Sequence, residues 1–308
     1  MIRTPARTLH RAGLFLATGL LVLLAGALAR LRARAEDVPL SPVTASWFVG
    51  PNFVERAGLT TGEQPPGELD DIATLAGDRF DPELLDSEIQ RFYERTAEYD
   101  MRFRARWHVP YRIGAALASQ FTSRIEQLNL PGPGDESWHR LESRFLDVDE
   151  PGGGSRGRPD VTEDREDPSV REDVRAWVRT DPETGEAVFV ALYATHHRDG
   201  EGFVNIAVPL PGSAVDTVLR PENLEESAGA RTGIRLTTRS AGDPGLYLRA
   251  PLGAFELPGG QEFRVWREDR ETGTDDGELR ASHEMWLLGR QFLTVEYEIL
   301  RENDDLAG

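Results

Sequence analysis

VRAWVRTDPETGEAVFVALYATHHRDGEGFVNIAV, residues 174–208, decides the fold. Three runs rich in β-branched and aromatic residues, 174–180, 187–196 and 203–208, are separated by two turn signals. These are Asp181-Pro182-Glu183-Thr184-Gly185 and Arg198-Asp199-Gly200-Glu201-Gly202, and such composition between short apolar runs predicts antiparallel strands joined by tight turns. Downstream the pattern repeats at 234–239, 246–249, 263–267, 279–287 and 292–300. That spacing predicts an antiparallel meander that closes as a barrel or stacks as a sandwich. No internal repeat with a period between about 20 and 50 residues is present.

Upstream, residues 99–109 also alternate with period two. Met101, Phe103, Ala105, Trp107 and Val109 point one way; Arg102, Arg104, Arg106 and His108 point the other. A lone strand leaves half its backbone groups unpaired, so this one is expected to join the later sheet. Two helices are expected around it. One starts at Asp81-Pro82, with Asp as N-cap and Pro at the first helical position, and buries Leu85, Ile89, Phe92 and Tyr93. The other covers 111–128, with Ile113, Leu117, Phe121, Ile125 and Leu128 on one stripe. The fold class is therefore α+β. Residues 36–146 form a part with two helices and one strand, 147–173 an acidic Gly/Pro-rich linker or loop, 174–302 an antiparallel β region continuous with 41–146, and 303–308 a tail.

Ahead of this body lies AGLFLATGLLVLLAGALA, residues 12–29, flanked by Arg3, Arg7 and Arg11 on one side and Arg30, Arg32 and Arg34 on the other. At about 1.5 Å per residue it makes a helix about 27 Å long, enough to span a bilayer. Ala33-Arg34-Ala35 has the form of a signal cleavage site. The run, however, is longer than a usual signal core of about 7–15 residues, and three arginines separate it from that site. A retained single-pass anchor over residues 1–35 is the expectation. The flanking arginines tie for orientation; the N-terminal amine and His10 tip the N-terminus inward and the body outward.

All 35 basic residues are Arg, set against 53 Asp and Glu. Beyond residue 35 the body carries 29 Arg and a charge of −24. That charge repels nucleic acid, which needs a basic footprint. It fits a halophilic surface kept hydrated in concentrated salt, with an acidic face for a cationic partner as the alternative. With no Cys there is no disulfide framework, thiolate metal site or cysteine nucleophile.

Candidate chemistry is sparse. The row Arg102, Arg104, Arg106 and His108 could bind a phosphate or carboxylate headgroup, or could pair with carboxylates on a neighbouring strand. His196 and His197 point to opposite strand faces and cannot easily share a metal ion. His283 sits on an apolar strand face and, with Trp266 and Trp286, is a candidate pocket-lining residue. His283-Glu284 fails as a zinc motif because Leu287 stands where the second His belongs. No Gly-x-Ser-x-Gly elbow exists, and no P-loop without Lys. No catalytic residue, metal or cofactor is expected. The leading expectation is a non-enzymatic binding module at the bilayer for an apolar or lipid-like ligand held inside the curved sheet. An assembly protein that binds another membrane protein, and a tethered enzyme without a recognisable motif, are the alternatives.

Overall fold

The computed structural model describes residues 26–109, 111, 127, 129–151, 170–224, 232–268 and 278–301. Twelve strands occur among them. They are β1 (Tyr99–Trp107), β2 (His139–Asp147), β3 (Glu172–Thr180), β4 (Ala187–Arg198), β5 (Glu201–Leu210) and β6 (Ser213–Asn223), followed by β7 (Ile234–Thr237), β8 (Gly245–Ala250), β9 (Gly253–Glu256), β10 (Gly259–Glu268), β11 (Glu278–Leu287) and β12 (Arg290–Arg301). Ten of them close a ring in the order β1-β2-β3-β4-β5-β6-β7-β10-β11-β12, with β12 returning to β1 and every neighbour antiparallel. Closure removes the free edges that an open sheet must protect. The β8–β9 hairpin hangs outside the ring on the first half of β6.

The predicted antiparallel meander is thus a barrel. Tyr99–Trp107 pairs along its whole length with β12, from Tyr99↔Arg301 to Trp107↔Leu293, and its other edge pairs with β2 over Met101–Phe103, so the strand joins the later sheet as expected. Three strands go beyond the sequence expectation. β2 overlaps the expected linker at Asp147, and Glu172 and Asp173 of that linker begin β3. β6 carries a proline, Pro221, that masks it, and β9 is four residues long. Val109 lies past the end of β1 and is 77% exposed.

Burial explains why the strands differ in pattern. Residues 41–54 run across the outside of the barrel, where Val43, Val49, Phe53 and Val54 cover Ala176, Val178, Val190 and Leu192. β4 is buried on both faces beneath this strap, hence its nearly unbroken apolar run AVFVALYAT. β12 has no such cover: Leu293, Val295, Tyr297 and Ile299 face inward while Glu296 and Glu298 face out. The Asp199-Gly200 turn between β4 and β5 has positive φ at both residues (55° and 78°), the conformation that two-residue hairpins require.

One end of the barrel is plugged. Leu69, Ile72, Leu75, Phe80, Leu85, Ile89, Phe92 and Tyr93 join the inward strand residues in a single core cluster. The helix expected from Asp81 is broken in two. Asp81 caps the short 3-10 turn Pro82–Leu84, Leu85 turns extended to bridge Thr232, and Asp86 caps a second helix, Ser87–Glu94, by accepting from Glu88 N at 2.8 Å. Ile89, Phe92 and Tyr93 then face the barrel, each worth roughly 1.5–3 kcal/mol when fully buried. Glu88 locks the plug to the barrel, accepting from Tyr99 Oη at 2.6 Å and from Arg301 Nη2 at 2.5 and 2.7 Å. The β3–β4, β5–β6 and β11–β12 turns all lie at the opposite end.

The expected anchor falls mostly on residues 1–25, and the expected helix 111–128 mostly on 112–126; both lie outside the described residues. Residues 26–33 are helical. Among the described residues no helix is long and apolar enough to cross a membrane.

Candidate functional site

A cavity of about 380 Å³ lies inside the barrel, away from the plugged end. The inward positions of nearly every ring strand build its wall: Phe103 on β1, Leu141 on β2, Tyr193 on β4, Val208 on β5, Val215 on β6 and Met285 on β11. A register shift in the β3–β4 pairing, where Arg179 opposes Phe189 and Thr180 opposes Ala187, inserts an extra residue into β4. Val188 and Phe189 consequently both line the cavity. Gln127 also reaches the wall. It donates to Val190 O (2.7 Å) and Pro209 O (3.1 Å) and accepts from Val190 N (2.9 Å). The β4–β5 ladder stops at Leu192↔Ala207, because Pro209 has no N–H to continue it; one amide side chain completes the seam.

Polar groups in this apolar wall are few and connected. Arg179 is 6% exposed and donates from Nη2 to Tyr193 Oη at 2.9 Å. Its guanidinium lies 4.1 Å from the ring centre of Trp177 and 4.5 Å from that of Phe189. Arg179, Tyr193, Ile206, Phe263 and Tyr297 also line a second cavity of about 60 Å³ toward the plug. They therefore form the floor of the larger one. Burial raises the phenol of Tyr297, opposed by the charge of Arg179, so it remains protonated at neutral pH.

Glu68 lines the smaller cavity. Gly67 sets it there: a Cβ on Gly67 would lie 2.4 Å from the Glu94 backbone, and the Gly67 carbonyl accepts from Arg175 Nη1 at 2.7 Å. Burial pushes the Glu68 carboxyl up to about 7, against the pull of Arg179 and Arg175.

His283 is positioned among the residues around the cavity, donating from Nε2 to Gln261 Oε1 at 2.8 Å and stacking 3.6 Å from the Phe263 ring centre. Burial, and then the charge of Arg179, holds the imidazole well below its ordinary pKa, so it is neutral. Trp266 and Trp286 do not line either cavity: each follows an inward residue, Val265 and Met285, so strand alternation turns it outward, Trp266 opposite Arg280 and Trp286 beneath the Arg239 guanidinium at 3.7 Å.

The cationic row of β1 lies outside the barrel, away from this site. Arg102 pairs with Glu298, and Arg104 with Glu296 while also lying 4.8 Å over Trp138. Arg106 opposes Thr294 in register, and His108 Nε2 lies 2.8 Å from Thr294 Oγ1. His196 is buried between Asn205 Oδ1 (2.6 Å) and Asp243 Oδ2 (3.1 Å), whereas His197 Nε2 turns to Thr74 O at 2.7 Å.

Arg179 and Glu68 were not legible as site residues. The alternation Arg175, Trp177, Arg179 resembles a solvated face, and Glu68 sits in a polar stretch that reads as loop. The available signal was a tryptophan flanked by two cations on one strand face.

No protein-family model matches the chain, and no solved structure matches it. The chain is 33% identical over 258 residues, 84% of its length, to the uncharacterized membrane protein YndJ of Bacillus subtilis (strain 168). The match spans 42% of that protein, so the chain covers less than half of this relative.

Proposed function

We propose that this chain is a membrane-associated, non-enzymatic binding module that takes an apolar or lipid-like ligand inside its barrel. The observation that carries the reading is the apolar cavity of about 380 Å³ within a closed ring of strands. Small-molecule sites typically measure about 300–1,000 Å³ and combine an apolar wall with a few convergent polar groups. A scaffold used only for assembly has no need of such a space, since interiors otherwise pack to crystal-like density.

Membrane association is supported by the apolar run 12–29 and by the name of the Bacillus relative, a membrane protein. Arg34 pairs with Glu256 at 2.8 Å, and Arg32 lies beside Gly253 at the tip of the β8–β9 hairpin. That tip pairs with the start of β6, at the barrel end away from the plug. An anchor leaving from there brings the cavity's side of the barrel toward the bilayer.

Native mass spectrometry of the detergent-solubilised full chain, purified in high salt and paired with lipid extraction, tests the reading. One lipid, or one molecule of an added neutral apolar dye, per chain is the expected result. A lipid-free chain that takes up no dye would refute it. For the anchor, the full chain should stay with membranes through an alkaline carbonate wash. A mature protein starting at Glu36 in the aqueous fraction would overturn it.

A further inference from the structure

Three buried arginines come from β3 and the residue just before it, and two are matched by carboxylates. Arg171 Nη1 lies 2.7 and 3.0 Å from the two oxygens of Glu150. Arg175 Nη2 meets Asp70 Oδ1 at 2.5 Å. Arg179 differs. Among the described residues no carboxylate stands within ion-pair distance of its guanidinium, though it is as buried as the others. Its contacting polar neighbour is the Tyr193 phenol, two aromatic rings cover its faces, and the carboxylate whose charge reaches it, Glu68, makes no ion pair with it. A buried cation with no carboxylate in contact is costly to hold. An arrangement that keeps one at the floor of an apolar cavity is complementary to an anion arriving from the cavity.

The donors around Arg179 suit one small planar anion. Tyr193 Oη accepts from Arg179, which leaves its own proton to donate, and among the described residues nothing accepts that proton. Tyr297 lines the same floor, within reach of the Arg179 charge. A guanidinium fork flanked by two phenols matches the two oxygens of a carboxylate. Above the floor the walls are Leu130, Val188, Val208, Leu246, Met285 and Phe292, with no charge among them. Resting on the binding reading above, we infer that the ligand is a single-chain amphiphile with an anionic, carboxylate-type headgroup, its head on Arg179, Tyr193 and Tyr297 and its chain directed away from the plug.

Glu68 lies on the other side of the floor and is only partly ionised near neutral pH. It leaves part of the Arg179 charge uncompensated, and Arg175 is already held by Asp70 and the Gly67 carbonyl. The headgroup site accordingly does not need Glu68 to leave.

The test uses the full chain in detergent and displacement of a neutral apolar dye by three twelve-carbon probes: dodecanoate, dodecanol and dodecyl phosphate. In the wild type, dodecanoate should displace the dye at a concentration at least about tenfold lower than dodecanol. Dodecyl phosphate, which carries up to two charges for one arginine, should fall between them. Arg179→Gln should erase the preference for dodecanoate while leaving dodecanol unchanged. Arg179→Lys, which keeps the charge but loses the fork, should retain part of it. Equal displacement by dodecanoate and dodecanol in the wild type overturns the headgroup site even if no variant folds, and leaves the apolar cavity standing. Dye uptake that fails altogether removes the binding reading and this inference with it. A phosphate preference over carboxylate overturns the carboxylate assignment.

Discussion

Arg171 Nη1 contacts both carboxylate oxygens of Glu150, at 2.7 and 3.0 Å, with side chains only 3% and 1% exposed. Glu150 also accepts from the Ser41 hydroxyl, which ties the strap over the barrel wall to the stretch between β2 and β3. Removing one partner strands a buried charge, a loss of about 3–5 kcal/mol. Arg171→Met should lower the urea midpoint accordingly, and the double variant Arg171→Met with Glu150→Leu should recover much of the loss. A single variant as stable as wild type would show that the pair is solvated in solution.

The outer pairing of Arg104 with Glu296 leads to a different expectation. Its side chains are 44% and 40% exposed, in the range where ion pairs contribute about 1 kcal/mol or less. Arg104→Glu places two carboxylates opposite each other and should lower the melting temperature by a few degrees. Binding to anionic liposomes should not change. Weakened liposome binding would instead make the β1 row an anion surface.

Glu68 sets a pH dependence with a definite sign. Its folded-state pKa, about 7, lies above the ordinary 4.5, so the folded chain keeps a proton that the unfolded chain releases between those values. The Glu68 contribution to stability therefore falls as pH rises from about 4.5 to about 7, then levels off, while His283, held well below its ordinary 6.5, contributes a slope of opposite sign below that pH. The groups facing Glu68 are Arg179, Arg175 and Tyr93. Glu68→Gln should flatten this fall and gain about 1–3 kcal/mol at pH 8, measured by denaturant titration across pH. Asp216, pushed by burial up to about 6 from 3.8, supplies a residual slope of the same sign below pH 6. An unchanged slope in the variant would place the titration elsewhere.

Filling the cavity should separate binding from folding. Val208 lines it from β5 and is only partly buried, so a larger side chain there can grow into empty space. Val208→Trp should reduce dye uptake at least about fivefold while leaving the melting temperature within a few degrees of wild type. Undiminished uptake would mean that the dye binds on the outside.

What the sequence disclosed follows from how each segment is buried. Strands with one wet face, such as β1 and β12, announce themselves by alternation, and β4 does so by its length between two turn signals. β2 escaped because Leu141 and Phe145 are the main apolar residues it turns inward, alongside Ser143. β6 escaped because Pro221 and the buried Asp216 interrupt a strand pattern. The cationic face of β1 was legible as a row, and its partners Glu296 and Glu298 became visible only with the register of β12. Arg179 stayed hidden for a related reason: an inward polar residue in a barrel and an outward one in a flat sheet share the same spacing.

At Pro209 the circle of main-chain bonding is interrupted, and the amide of Gln127 stands in for it from 82 residues away. Neither β4 nor β5 can finish this stretch alone, however well the two strands align. A residue from neither strand closes their seam, so losing that one amide would strip the Val190 N–H and the Val190 and Pro209 carbonyls of these partners inside the wall.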